Sequence, residues 1–246
     1  MKTGRNVWDV AAEAWVDFVR TGKDFSRDDV VNPITFRLIG NIKGKEVLDL
    51  ACGEGYNTRI LAEKGARVTG IDSSRRLIGY AKACEREKPL GNRYFLKNAN
   101  NLIGFKECTF DLVTCFMGLH DIEDYEAAVA EVGRVLKPNG RFIFSIPHPC
   151  FEEVTMKSVK RNAADNYFER VLHIVEWKME RLSKQFETVS FHRTLTDYSR
   201  MLTTNRLLIR RIIEPRPTPK AMRKYPRLKN HSKRPWSIVF ETLKLP

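Results

Sequence analysis

The sequence predicts an α/β fold, a sheet assembled from strands that alternate with helices, and two observations carry that expectation. The first lies between Val47 and Asp72, where an apolar run broken only by Asp49 enters the turn Ala51-Cys52-Gly53-Glu54-Gly55. Tyr56 to Lys64 then follows at helical spacing, and a second apolar run, Ala66 to Ile71, ends in Asp72. A strand, a turn stripped of side chains, a helix and an acid about 20 residues on outline a nucleotide-binding βαβ unit. The second observation is that strand and helix patterns keep alternating as far as Ile146. A chain of 246 residues is long enough for one such domain with an extra element.

Ahead of that unit, Asn6 to Thr21 places Trp8, Ala12, Trp15, Val16 and Val19 at spacings of three and four, an amphipathic helix with Asp9 and Glu13 in its first half. Trp8 and Trp15 are either core anchors or lid residues over a ligand. Lys23 to Pro33 reads as charged and irregular, and Ile34 to Ile42 as a short helix leading into the first strand. Residues 1–42 thus read as N-terminal helices covering the crevice.

After Asp72, Ser73 and Ser74 are good N-caps for a helix to about Glu87, which Pro89 and Gly91 end. Arg93 to Lys97 reads as the third strand and Phe110 to Phe116 as the fourth. A helix follows over Asp121 to Leu136, then a turn at Lys137-Pro138-Asn139-Gly140, then a fifth strand over Arg141 to Ile146. The stretch 148–194 departs from this alternation. Apolar residues alternate with polar ones in places over Val171 to Met179 and again over Phe186 to Phe191, which predicts a two-stranded flap with a helical lead-in. A helix from His192 to near Asn205, with Asn205 as its left-handed cap, leads to a sixth strand at Leu207 to Glu214. Pro215 to Pro235 reads as a loop with five prolines, and Trp236 to Leu243 as the last strand.

The chemistry of the first turn separates two ligand classes. A dinucleotide asks for a third glycine or alanine, where this chain has Thr58, and for an uncharged turn beneath the pyrophosphate. Asp49 and Glu54 bracket the turn instead, and fixed anions repel a diphosphate. They suit S-adenosylmethionine, whose sulfonium and ammonium are cationic.

The turn resembles motif I of the class I S-adenosylmethionine-dependent methyltransferases. The later pieces Phe110-Asp111-Leu112-Val113, Leu119-His120 and Glu131-Val132-Gly133-Arg134-Val135-Leu136-Lys137-Pro138-Asn139-Gly140-Arg141-Phe142 come in that family's order, so the resemblance spans Val47 to Pro147. It implies a single methyltransferase domain over 1–246 with a Rossmann-like seven-stranded sheet of order 3-2-1-4-5-7-6, the last strand antiparallel. It also implies S-adenosylmethionine as cofactor and S-adenosylhomocysteine as product. Carried onto this chain, Gly53 and Gly55, in one turn with Ala51 and Cys52, let the main chain approach the methionine moiety. Asp49 orients the ammonium, Phe116 presents its carbonyl at the same end, and Asp72 holds the ribose. Ser73 packs near the adenine and Met117 near the methionine. Asn98, standing where the family often has an acid, meets the adenine edge with Ala99 and Asn100. The run His192-Arg193-x-Leu195-x-x-Tyr198, with Glu214-Pro215 further on, resembles a branch that methylates small molecules.

Methyl transfer from a sulfonium needs nucleophile, carbon and sulfur held in line, and a base only where the acceptor must lose a proton. His120 and His148, just past strands four and five, are the catalytic candidates, as base or as orienting hydrogen-bond partner; His192 is a third. Either of the first two is otherwise a structural histidine. No metal-ligand spacing appears among the five cysteines, and Cys52, Cys115 and Cys150 read as small buried residues. An odd cysteine count and a start without an apolar h-region predict a cytoplasmic protein, and no uncharged run is long enough to span a membrane.

A net charge of +13 comes largely from residues 200–235, with twelve Lys or Arg against the single acid Glu214. This excess points to an anionic small-molecule acceptor, to RNA or to a solvated loop. The Asn/Asp-Pro-Pro-Tyr/Phe signature of amino-directed base methylation is missing after strand four, where Phe116-Met117-Gly118-Leu119 stands. A small-molecule methyltransferase is the expectation, with an RNA methyltransferase or a non-catalytic partner subunit as alternatives.

Overall fold

The computed structural model describes residues 6–151, 153–156, 159–162, 167–178 and 184–246. The chain opens with α1 (Val7–Arg20), whose Asn6 side chain accepts from the Trp8 N–H, and continues after a short π-helical stretch (Arg27–Val31) into α2 (Asn32–Ile39). β1 (Glu46–Leu50), α3 (Tyr56–Glu63), β2 (Arg67–Asp72), α4 (Arg75–Glu87), β3 (Arg93–Leu96), β4 (Phe110–Phe116), α5 (Tyr125–Val135) and β5 (Leu136–Pro147) follow as the alternating unit. Two hairpins, β6 (Glu153–Met156) with β7 (Val159–Asn162) and β8 (Leu172–Trp177) with β9 (Phe186–Phe191), make up the described part of the insertion. α6 (Leu195–Thr204), β10 (Leu207–Ile213), α7 (Pro219–Lys224) and β11 (Ser237–Lys244) complete the chain.

The main sheet runs β3-β2-β1-β4-β5-β11-β10, which is the expected order 3-2-1-4-5-7-6 once the two hairpins are set aside. β1 to β5 are mutually parallel, whereas β11 is antiparallel to both β5 and β10. Leu48, Leu50, Val113, Phe142 and Phe144 feed the core on one face, with α5 and α6 over it; Val47, Val68, Leu112, Ile143 and Val239 feed the other, under α2 and α3. Strands buried on both faces explain the unbroken apolar runs in the sequence. Among the described residues no helix is long and apolar enough to cross a membrane.

Several expectations are corrected. Residues 25–33 are helical, with Arg27, 6% exposed, donating to Asp28 Oδ1 at 2.8 and 2.9 Å and lying 4.4 Å over the Tyr56 ring. Its charge is answered by partners, so the segment can be buried. The helix expected from Asp121 starts at Tyr125, capped by Asp124 accepting from the Ala127 N–H, and residues 119–121 form a separate 3₁₀ turn. The expected helical lead-in is the β6–β7 hairpin, in keeping with the β-branched residues of Glu153-Val154-Thr155-Met156; Met179 lies outside the described residues. Asn205 keeps φ −96° while Arg206 takes the left-handed φ of +57°. The basic loop holds α7 and a 3₁₀ helix (Pro226–Ser232), whose Ala221 and Leu228 pack on Phe25 and Val30.

Candidate functional site

β1 ends where its two neighbours, β2 and β4, are followed by helices on opposite faces, so a crevice opens at its carboxyl end. The chain leaves β1 through three left-handed residues, Ala51 (φ 54°), Gly53 (φ 58°) and Gly55 (φ 81°). Gly55 is required sterically as well, since a Cβ there would meet the Tyr94 hydroxyl at 2.7 Å. Its bare position faces Tyr94, whereas Gly53 lies in the crevice lining with Ala51 and Cys52.

Three carboxylates meet this turn, each in a different electrostatic state. Asp49 is 1% exposed and accepts from Thr58 Oγ1 at 2.6 Å and Thr114 Oγ1 at 2.9 Å. Burial pushes its carboxyl up to about 6 against the pull of those two hydroxyls. Asp72 takes the Gly53 N–H on Oδ2 at 2.9 Å and the Ser74 N–H on Oδ1 at 2.8 Å, and burial raises it too. Each Asp72 oxygen accepts one bond from the main chain and keeps a further lone pair. Glu54, although it lines the crevice, is held by Arg20 at 3.2 Å and Arg59 at 3.2 Å, so its charge is spent tying α1 to α3. Sequence pattern alone counts Asp49 and Glu54 equally, and the two arginines distinguish them.

The crevice widens into a cavity of about 1190 Å³, lined near the turn also by Ser73, Asn98, Ala99, Asn100, Phe116 and Met117. Of the expected cofactor residues, only Gly55 lies outside this lining. Met117 takes φ 49°, its N–H donating to both the carbonyl and Oγ of Ser145 at 3.1 Å. Gly118 then passes so close to Ala51 that a Cβ would stand 2.8 Å from the Ala51 methyl. This contact joins the tips of β1 and β4. A volume above the roughly 300–1,000 Å³ typical of a single-ligand pocket leaves room for a second ligand beside the first.

The three histidines stand apart. His120 lines the cavity, with Nε2 3.3 Å from Asp121 Oδ1 and a buried Nδ1 that meets no partner. Burial, and then the neighbouring Arg193 cation, bring its ring down to about 3, so it is neutral. His148 lies outside the lining: Nε2 is 2.8 Å from Glu214 Oε1 and Nδ1 accepts the Cys150 N–H at 3.2 Å, which ties the root of the insertion to the end of β10. His192 Nε2 is 3.0 Å from the Tyr167 carbonyl, also away from the lining. Arg193, which sequence reasoning passed over, is 5% exposed; it donates to the Glu123 carbonyl at 2.9 Å and the Leu119 carbonyl at 3.5 Å, contacts the Ile122 carbonyl, and lies 3.9 Å over the Tyr125 ring. It fixes the turn that carries His120. Its place in the run His192-Arg193-x-Leu195-x-x-Tyr198 was the available signal.

α1 and the β8–β9 hairpin roof the cavity together. Trp15 meets Trp8 and Trp177 edge-on, each at 5.4 Å between ring centroids, and Trp177 stacks on Phe186 at 5.4 Å. Trp8 and Trp15 therefore serve both as packing anchors and as cavity wall. Arg227, Lys233 and Arg234 from the basic segment line the cavity as well, while Arg211 turns to the buried Glu241.

Residues 48–144 match the family described as Methyltransferase domain. The demethylmenaquinone methyltransferase of Lactococcus lactis is 29% identical over 167 residues, 66% of this chain and 64% of that protein. The ubiquinone biosynthesis O-methyltransferase of Alkalilimnicola ehrlichii is 32% identical over 142 residues, 56% of each. The chain thus spans between half and two thirds of the length of these curated relatives. A solved protein of Listeria monocytogenes, provisionally described as an S-adenosylmethionine dependent methyltransferase, superposes with a TM-score of 0.70 at 27% identity, covering 87% of this chain and 96% of that one.

Proposed function

The chain carries a methyltransferase domain of the class I, S-adenosylmethionine-dependent family, and from that premise we propose that it transfers a methyl group to a small-molecule acceptor bearing negative charge. The observation that carries the reading is the crevice at the tip of β1, where two buried carboxylates, Asp49 and Asp72, flank a turn whose main chain is exposed by Gly53. When bound there, S-adenosylmethionine supplies an electrophilic methyl carbon on a cationic sulfur. Asp72 suits the vicinal ribose hydroxyls with its remaining lone pairs, and Asn98 offers an amide at the adenine side. Asp49, mostly ionised at neutral pH and stripped of water, favours a cation beside it. The acceptor belongs in the rest of the cavity, under the hairpin roof and against Arg227, Lys233 and Arg234, whose charge suits an anion.

His120 is the catalytic candidate that faces this space, whereas His148 serves by fixing the base of the insertion through Glu214. Calorimetry with S-adenosylmethionine and S-adenosylhomocysteine tests the reading. Asp72→Ala should weaken both ligands about 10- to 100-fold, the loss of one or two hydrogen bonds to a charged group, and equal affinity in the two proteins would remove the ribose assignment. Incubation with labelled cofactor and either total RNA or a metabolite extract separates the acceptor classes. Label entering only RNA would replace the small-molecule reading.

A further inference from the structure

The first turn of α3 borders the crevice with a buried amide that the rest of the protein leaves half used. Asn57, 8% exposed and part of the cavity lining, accepts from Asn32 Nδ2 on Oδ1 at 3.0 Å. Its own Nδ2 meets no partner among the described residues and keeps accessible surface, whereas Asn32 Oδ1 behind it is sealed and unbonded. This pairing decides which end of Asn57 is left for a ligand. Turning both amides over would orphan the Asn32 amino group with its two hydrogens in place of one carbonyl oxygen, and unpaired buried donors are the rarer case.

The main chain adds donors of the same sense. Gly55, the N-cap of α3, has no side chain to accept from the first turn, and the N–H groups of Tyr56, Asn57 and Thr58 meet no acceptor among the described residues. Tyr56 and Asn57 both line the cavity. An amino group thus stands at the positive end of an eight-residue helix, a combination that suits an anion.

The surroundings decide which anion. Thr58, next in the chain, donates to Asp49 at 2.6 Å, so Asn57 adjoins the acid that suits the cofactor's ammonium. Ammonium and carboxylate share one carbon in S-adenosylmethionine, and a site that receives the first must receive the second close by. A bare carboxylate beside Asp49 and Asp72 would be repelled. The cations near the turn are already engaged, Arg20 and Arg59 by Glu54 and Arg27 by Asp28, which leaves the uncharged donors of α3. We infer that Asn57 Nδ2 and the first-turn N–H groups of α3 seat the α-carboxylate of S-adenosylmethionine, with Asn32 as the positioning residue that turns the amide. This rests on the cofactor placement above and extends it to a selectivity: a cofactor stripped of its carboxylate keeps its other contacts but leaves these donors unanswered, so the chain discriminates against it.

The test compares two ligands on the full chain by calorimetry, S-adenosylhomocysteine and decarboxylated S-adenosylhomocysteine, which differ only in that group. The parent should bind the first about 10- to 100-fold more tightly, the range expected of hydrogen bonds to a charged group. Asn57→Ala should remove most of the difference by weakening S-adenosylhomocysteine alone. Asn57→Asp, an acid that the first turn of a helix favours, should reverse the preference. Asn32→Ala should produce a smaller loss, again confined to the carboxylated ligand, and the decarboxylated ligand reports in each variant that the site is folded. In the parent, the side-chain amide nitrogen-15 signal of Asn57 should move several times further with S-adenosylhomocysteine than with the decarboxylated ligand, a readout that needs no variant to fold. Equal weakening of both ligands in Asn57→Ala, an unchanged preference, or an amide signal indifferent to the carboxylate would each overturn the assignment while leaving cofactor binding and methyl transfer intact. A parent that binds neither ligand would remove the proposed function together with the inference.

Discussion

At the scale of single residues, the buried Asp49 carboxylate costs stability at neutral pH. Its folded-state pKa of about 6 stands above the 3.8 of a free carboxyl, so the folded protein holds the extra proton between those values. The stabilisation is therefore complete below the unfolded pKa and is lost as pH rises through about 6. The gap between those two values corresponds to about 3 kcal/mol. Asp49→Asn, which never carries the charge, should be more stable than the parent by up to that amount at pH 7 and should match it near pH 4, as urea titrations at both pH values would show; its affinity for S-adenosylmethionine should fall. Gly55 illustrates the opposite case, a residue fixed by its neighbours. Gly55→Ala is expected to cost about 1–3 kcal/mol through its positive φ and the Tyr94 collision. In a Tyr94→Phe background part of that cost should vanish, because the hydroxyl is the nearest atom while ring carbons remain at 3.0 Å. A double-mutant thermal series measures the coupling.

At the scale of elements, the turn after β4 is held from outside by Arg193, which stands just ahead of α6. Removing the guanidinium leaves the carbonyls of Leu119, Ile122 and Glu123 without that donor. Arg193→Ala should therefore lose about 2–4 kcal/mol in urea unfolding, and the His120 ring should titrate at higher pH than in the parent because one of its two depressing influences is gone. Elements whose signal is local were legible in the sequence: β1, β2 and β4 declare themselves by apolar runs, and α1 by its spacing of three and four. Elements that depend on distant partners were not. The Arg27 segment looked irregular because Asp28 and Tyr56 make its burial tolerable, and the 215–235 stretch looked like loop because its packing onto Phe25 and Val30 is written nowhere in its own residues. The carboxylates of the crevice were legible for the same local reason, whereas the hold of Arg193 on the turn that carries His120 was not, since it arises only when the chain ahead of α6 folds against that turn.

At the scale of the whole molecule, the cavity lies between a parallel sheet and a roof made from two chain-distant pieces, α1 and the β8–β9 hairpin, interlocked by Trp15 and Trp177. Opening for ligand exchange must part that aromatic contact, so both pieces should respond as one unit. Saturation with S-adenosylhomocysteine should slow amide exchange in 7–20 and 186–191 together and leave 207–213 unchanged; protection confined to one piece would show that they move independently.

β11 enters between β5 and β10 although it follows both in the chain. β10 can join the sheet only through β11, so the edge must assemble in the reverse of chain order, with the intervening 23 positions from 214 to 236 closed as a loop before either strand gains its ladder. Such non-local pairing is slow to form. Until it does, β5 presents an unpaired apolar border able to capture another molecule's strand, which makes the final zippering of β11 the interval in which this protein is most exposed to self-association.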